Sequence, residues 1–135
     1  MDRWIRIGAA VLLAASGAIH LRLWDDGYKD FPNDNLGRSF LLNAIGSFAI
    51  AVAIVAWQHW LPLVAGLFTT NATLVAFALS RATDKGIFDF TENGFSPSPE
   101  AVLALITEIC AGAAFVYLLA RTLNQPLALS RHPVR

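Results

Sequence analysis

Four stretches of about twenty residues, each nearly free of charge, limit what this chain can fold into more than any other feature of its sequence. A helix needs roughly 20 mostly apolar residues to cross the ~30 Å hydrocarbon layer of a bilayer. Residues 4–23, 39–60, 61–80 and 101–120 each supply such a run. Their Ala and Leu content and the lack of strict alternation favour helix over strand. A helix also satisfies its own backbone inside lipid. The expected fold is therefore all-α: a single domain over residues 1–135, a polytopic four-transmembrane-helix bundle. Composition agrees, with 56% apolar and only 15% charged residues, against about 25% charged in a soluble domain. Ten Lys and Arg balance ten Asp and Glu, which leaves no surplus of positive charge for nucleic acid. The single Cys110 excludes an internal disulfide and a Cys-rich metal centre. The partner that this composition requires is the lipid bilayer.

Arg3 and Arg6 before the apolar run 7–15 imitate a secretory signal, with Ser16-Gly17-Ala18 as a cleavage region. The apolar stretch continues to Leu23, so we expect a retained helix. Between the second and third spans only Gln58, His59 and Trp60 precede Pro62, a helix-start residue. Those two spans must form an antiparallel hairpin. The connections 24–38 and 81–100 then emerge together on the opposite side. Ser98-Pro99-Glu100 reads as cap, first-turn proline and early acid of the fourth helix.

The positive-inside rule counts Lys and Arg in short connections, and here the count is even. Arg3, Arg6, Arg121, Arg131 and Arg135 lie on the terminal side; Arg22, Lys29, Arg38, Arg81 and Lys85 lie on the loop side. Eight acids, Asp25, Asp26, Asp30, Asp34, Asp84, Asp89, Glu92 and Glu100, gather in or beside the loops. We therefore expect both termini in the cytoplasm and the chain in the cell (inner) membrane. The loops also share a pattern: residues 25–31 (DDGYKDF) align with 84–90 (DKGIFDF) at an offset of 59, which also superposes Ser39 on Ser98. Two helix–loop–helix halves of like orientation would form a parallel repeat, with both loops folded into one cap; chance similarity over seven residues is the alternative.

Polar residues inside the spans are the candidate site. Glu108 lies eight residues past Glu100, ~12 Å deep at 1.5 Å per residue. Ala104 and Gly112, one turn to either side, form a small-residue stripe that points it into the bundle. Asn71 on the third span is expected at similar depth, Asn43 and Ser47 form an i, i+4 stripe on the second, and Ser16 with His20 another on the first. The inner halves read almost purely apolar, so the asymmetry implies a polar cavity opening toward the long loops. These groups are either interhelical glue, worth roughly 0.6 kcal/mol per bond, or a ligand-binding site of His20, Asn43, Ser47, Asn71 and Glu108, because intramembrane ionisable residues are costly. No catalytic motif and no cofactor motif accompanies them, and a metal would need more ligands at matched depth.

The stretch Gly17-Ala18-Ile19-His20-Leu21-Arg22-Leu23-Trp24, with Tyr28 and then Gly37-Arg38-Ser39-Phe40-Leu41-Leu42-Asn43, resembles small four-helix integral membrane proteins of actinobacterial type. The resemblance implies architecture and little about activity. Size and layout are also similar to DoxX-type proteins, some of which are subunits of quinone-linked oxidoreductases, although none of their redox motifs maps onto a residue here. Two functions follow as expectations. The first is a non-catalytic accessory or scaffold subunit docked to other membrane subunits or to copies of itself. The second is a binding site for a quinone, lipid or proton in the outer half of the bundle, redox-linked or transport-related.

Overall fold

A computed structural model describes residues 2–124, so Arg131, His132 and Arg135 of the expected basic tail lie outside the described residues. Helix α1 runs Asp2–Asp25, α2 Asp34–Ala56, α3 Leu61–Ala82 and α4 Glu100–Leu123; a single 3-10 turn, Tyr28–Asp30, lies between α1 and α2. All four helices are long and apolar enough to cross a membrane, and this is a multi-pass, all-helical membrane protein. Among the described residues the only strand-like pairing is an isolated bridge between Ile87 and Phe90.

Every helix end but the start of α3 differs from the sequence reading, by one to five residues, and at three of them the local reason is visible. Helix α2 begins five residues before Ser39. The Asn33 side chain accepts a hydrogen bond from the Asn35 amide at 3.1 Å, and Asp34 sits in the positive first turn. Gly37 permits this extra turn to rest on the first loop, since a Cβ there would lie 2.9 Å from the Tyr28 carbonyl oxygen. At its other end α2 stops at Ala56, because Trp57 turns extended. Residues 57–60 thus form the hairpin link, and Pro62 occupies the first turn of α3. Before α4 the capping position is held by Pro99 and not by Ser98, with no side-chain bond to the helix.

The helices surround one axis in chain order, with α1 packed most extensively, against α2 and α4, and the α2–α3 contact the slightest of the four adjacent pairs. Lipid tails are as apolar as leucine, so helices in a membrane gain by close approach of small residues. The burial pattern follows that rule. Ala9, Ser16, Gly17, Ala44, Ser47, Gly66, Ala104 and Ala111 face inward, while Leu42, Val52 and Phe68 face outward. Gly17 lets α1 approach α2, since a Cβ would stand 3.0 Å from that of Ser47. Gly66 receives the ring of fully buried Phe115, whose atoms lie 2.6–3.0 Å from where a Cβ would sit. Phe115 anchors the apolar core of the terminal half, together with Leu13, Ile54, Leu63 and Leu118.

At that end Arg6 reaches across from α1 and donates to the carbonyl oxygens of Ile54, Trp57 and His59 at 3.2, 3.1 and 3.3 Å. It thereby serves carbonyls at the negative C-terminus of α2 and in the link that follows it. Trp57 and Trp60 remain exposed beside it, with His59 stacked on Trp57 at 4.7 Å, a placement suited to the membrane interface. Asp2 and Arg121, 3.8 Å apart, put both described ends on this side.

On the opposite side the two loops join. Phe90 meets Tyr28 and Phe31 at ring distances of 5.3 and 5.2 Å, and Asn33 donates to Asp89 at 3.4 Å. The aligned segments share a glycine at positive φ (Gly27, 143°; Gly86, 60°) and then diverge. The first coils into the 3-10 turn. The second reverses through Phe88 and Asp89, both also at positive φ, so that Ile87 and Phe90 exchange backbone bonds at 3.0 and 2.9 Å. The sequence similarity of residues 25–31 and 84–90 is thus not a similarity of local fold.

Candidate functional site

Each helix carries one polar residue eight or nine positions from its loop-side end: Ser16 on α1, Asn43 on α2, Thr73 on α3 and Glu108 on α4. At 1.5 Å per residue these stand ~12–14 Å below the cap, in one layer. Glu108 is buried, at 1% exposure, and accepts a hydrogen bond from the Ser16 hydroxyl through Oε1. The Thr73 hydroxyl stands beside the carboxyl, while Oε2 has no hydrogen-bond partner among the described residues. Asn43 donates to Thr73 Oγ1 at 2.6 Å and accepts from Ser47 at 3.1 Å, so the expected i, i+4 stripe links α2 to α3. His20 contacts Ser16 twice, at 2.9 Å from Nδ1 to the carbonyl oxygen and 3.4 Å to the hydroxyl. Four of the five residues singled out in the sequence, His20, Asn43, Ser47 and Glu108, therefore stand in or against this layer.

Asn71 does not join them. It is exposed on the outer face of α3 and donates to the carbonyl of Leu67, four residues back on its own helix, at 2.7 Å. Its place is taken by Thr73. The inward face of α3 is traced by Leu63, Gly66, Thr70, Thr73, Phe77 and Ser80, spaced alternately three and four apart. Asn71 sits one residue, about 100° of helix rotation, past Thr70. That spacing was the available signal for Thr73.

Above the layer lies a cavity of about 260 Å³ under the two loops. The sequence implied a polar one, but its wall is mainly apolar, with Leu23, Leu36, Phe40, Phe77 and Phe90 among the contributors; His20, Ser39, Asn43, Thr73 and Ser80 are polar points along it, and Tyr28, Arg81 and Glu92 bound it at the loops. Glu108 lies beneath, outside the lining, and reaches the wall only through Ser16 and Thr73. A small molecule with an apolar body and one polar group matches such a chamber.

Three residues that the sequence reading left outside the candidate site hold its roof. Arg81 pairs with Glu92 at 2.7 Å, both 15% exposed, and donates to the carbonyl oxygens of Phe77, Gly94 and Ser96 at 3.2, 2.6 and 2.8 Å. Its guanidinium also lies 3.6 Å from the Phe77 ring centre. Tyr28 packs against Phe40 with ring centres 4.5 Å apart and donates its hydroxyl proton to Glu92. The chain Tyr28–Glu92–Arg81 latches the first loop to the second. Phe88, at the cavity rim, holds φ of 54°, a conformation that costs an aromatic residue roughly 1–3 kcal/mol and tends to persist at ligand clamps.

Burial, and next the bond to the Glu92 carboxylate, raise the Tyr28 hydroxyl pKa above its ordinary value of 10.0. The folded state thus holds this proton more tightly than the unfolded chain does. Its contribution to cap stability is full below about pH 10 and is lost as pH rises beyond that. With Tyr117, the other tyrosine, changed to Phe, tyrosinate absorbance reports Tyr28 alone. We expect a midpoint displaced to higher pH, and a return to the ordinary value when Glu92→Gln and Arg81→Ala open the latch. An unshifted midpoint in the intact protein would show that the latch does not form.

Comparison with known proteins adds no relative: no protein family, curated protein or solved structure matches this chain.

Proposed function

We propose that this membrane protein binds a small, largely apolar molecule with one hydrogen-bonding group in the cavity beneath its loop cap. The observation that carries the reading is the 260 Å³ chamber itself, apolar in its walls and touched by the His20 ring and the Asn43–Thr73 pair. Simple interhelical glue would close on itself, as the Ser47–Asn43–Thr73 chain does, and would leave no space above. Glu108 acts from below as a positioning residue, holding the Ser16 hydroxyl and through it the His20 ring. The acidic loops face the outside of the cell membrane and both termini face the cytoplasm, so the cavity opens in the outer half.

The competing reading is an accessory subunit or scaffold docked to other membrane subunits or to its own copies, for which the exposed apolar helix faces leave room. Unfolding of the protein in mild detergent, with and without a decyl-tailed benzoquinone or its hydroquinone, separates the two. A ligand at a hundredfold excess over its Kd adds about 2.7 kcal/mol of stability. We expect such a gain in the intact protein from at least one of the two probes. It should be lost in His20→Phe, which keeps an aromatic ring but removes both ring nitrogens, and retained in Phe68→Leu on the lipid face. No gain from either probe, with a fold that remains intact, would leave the accessory reading in possession.

A further inference from the structure

The cavity has two boundaries of different strength. Toward water it is roofed by the rings of Phe40 and Phe90, packed tilted and edge-on against Tyr28, and by the Tyr28–Glu92–Arg81 latch. Toward lipid its wall is the seam between α2 and α3, the slightest of the adjacent helix contacts. These helices are joined at the terminal side by residues 57–60 and tied at mid-depth by the 2.6 Å Asn43–Thr73 bond. Beside and above that tie, α3 lines the chamber with the small side chains of Ala72 and Ala76 before Phe77, Ser80 and Arg81 close it nearer the loops. Ala72 lines the cavity and is also exposed on the helix surface. At six to ten residues from the end of α3, or ~9–15 Å, this rim lies within the hydrocarbon layer. The chamber therefore reaches the lipid-facing surface of the bundle between α2 and α3.

The polar points specify the head group. His20 Nδ1, 2.9 Å from the Ser16 carbonyl oxygen, must donate to it. In the neutral ring Nε2 is then an acceptor, and no described residue bonds to it. Ser39, Thr73 and Ser80 donate their hydroxyl protons to the carbonyl oxygens of Leu36, Thr69 and Phe77. Thr73 Oγ1 and Ser80 Oγ already accept from Asn43 and Arg81, so His20 Nε2 and Ser39 Oγ are wall acceptors that receive no bond from a described residue, and the second N–H of Asn43 is the donor left over. A ketone or ester would meet His20 acceptor to acceptor; a hydroxyl would not.

We propose that the ligand is a membrane-dissolved amphiphile with a hydroxyl head, an alcohol or phenol on an apolar body. It enters from the bilayer between α2 and α3 and donates its O–H to Nε2 of His20. The proposal rests on the binding reading of the cavity and adds to it a route and a head group.

The test uses the full chain in phosphatidylcholine vesicles and three photoactivatable probes: a fatty alcohol with a diazirine in its chain, the matching methyl ether, and a water-soluble phenol. The alcohol should label residues 39–43 and 72–76, in competition with unlabelled fatty alcohol. The ether, unable to donate, should label about tenfold less, the worth of one hydrogen bond. Ala76→Trp, which fills the seam, should reduce alcohol labelling to a similar degree. Equal labelling by ether and alcohol overturns the hydroxyl assignment, whether or not the tryptophan variant folds. Labelling by the aqueous phenol alone overturns lateral entry while the cavity reading survives. Labelling by none of the three overturns both.

Discussion

Gly66→Leu is expected to abolish the native bundle. Three ring atoms of Phe115 already lie 2.6–3.0 Å from the position of a Cβ at residue 66, and Phe115 is fully buried in the terminal-side core. Alanine alone would displace the ring, at a cost of about 1–3 kcal/mol typical of overpacking. Leucine adds three more carbons at a point where α3 and α4 have no free volume, and we expect it to exceed that range. The collision is specific, so it has a specific remedy. Phe115→Ala by itself should cost about 3–5 kcal/mol, yet in the Gly66→Leu background it should restore part of the lost stability, because the new side chain occupies the vacated ring site. Unfolding of the single and double variants in mild detergent measures this. Strictly additive losses would show that the two residues do not share one space.

Arg81→Ala is the second large effect, and it should be confined to one end of the molecule. The substitution removes the ion pair to Glu92, the bonds to Gly94 and Ser96 that hold the second loop, and the stacking over Phe77. Removing one partner of a fully buried pair costs 3–5 kcal/mol. With both side chains 15% exposed, we discount this for solvent screening to about 2–3 kcal/mol. Arg81→Lys keeps the charge but not the fan of donors, and should recover less than half. Amide exchange is the appropriate measure: residues 83–99 should lose protection while the cores of α1 and α4 keep theirs. Uniform loss along the helices would contradict a local latch, and unchanged exchange in 83–99 would contradict the latch itself.

Much of the architecture was legible because a membrane span is a property of a segment. Span number, the α2–α3 hairpin and the joining of both loops on one side all follow from segment length and link length. The depth of Ser16, Asn43 and Glu108 was legible for the same reason, since depth is a count of residues from a helix end. Rotation about the helix axis was harder to read. In water the apolar face marks the inside, but in lipid both faces are apolar and only the small residues distinguish them. Asn71 attracted notice as the more polar residue, whereas the Gly66, Thr70, Thr73 spacing carried the true phase. The roof was the least legible part. Tyr28, Arg81 and Glu92 are separated by 53 and 11 positions along the chain and meet only once both loops have folded. Nothing local distinguishes them from the other solvated charges of an acidic loop.

The three carbonyls that receive Arg6 also impose an order of events. They belong to Ile54, Trp57 and His59, some fifty residues downstream, and those positions come together only when the second and third spans have formed their hairpin. A ribosome delivers Arg6 some fifty residues before its acceptors. Helix α1 is thus made before α2 and α3 and finished only after them. Until the hairpin arrives, its guanidinium must stay hydrated at the membrane surface, and α1 waits there for the fold to close around it.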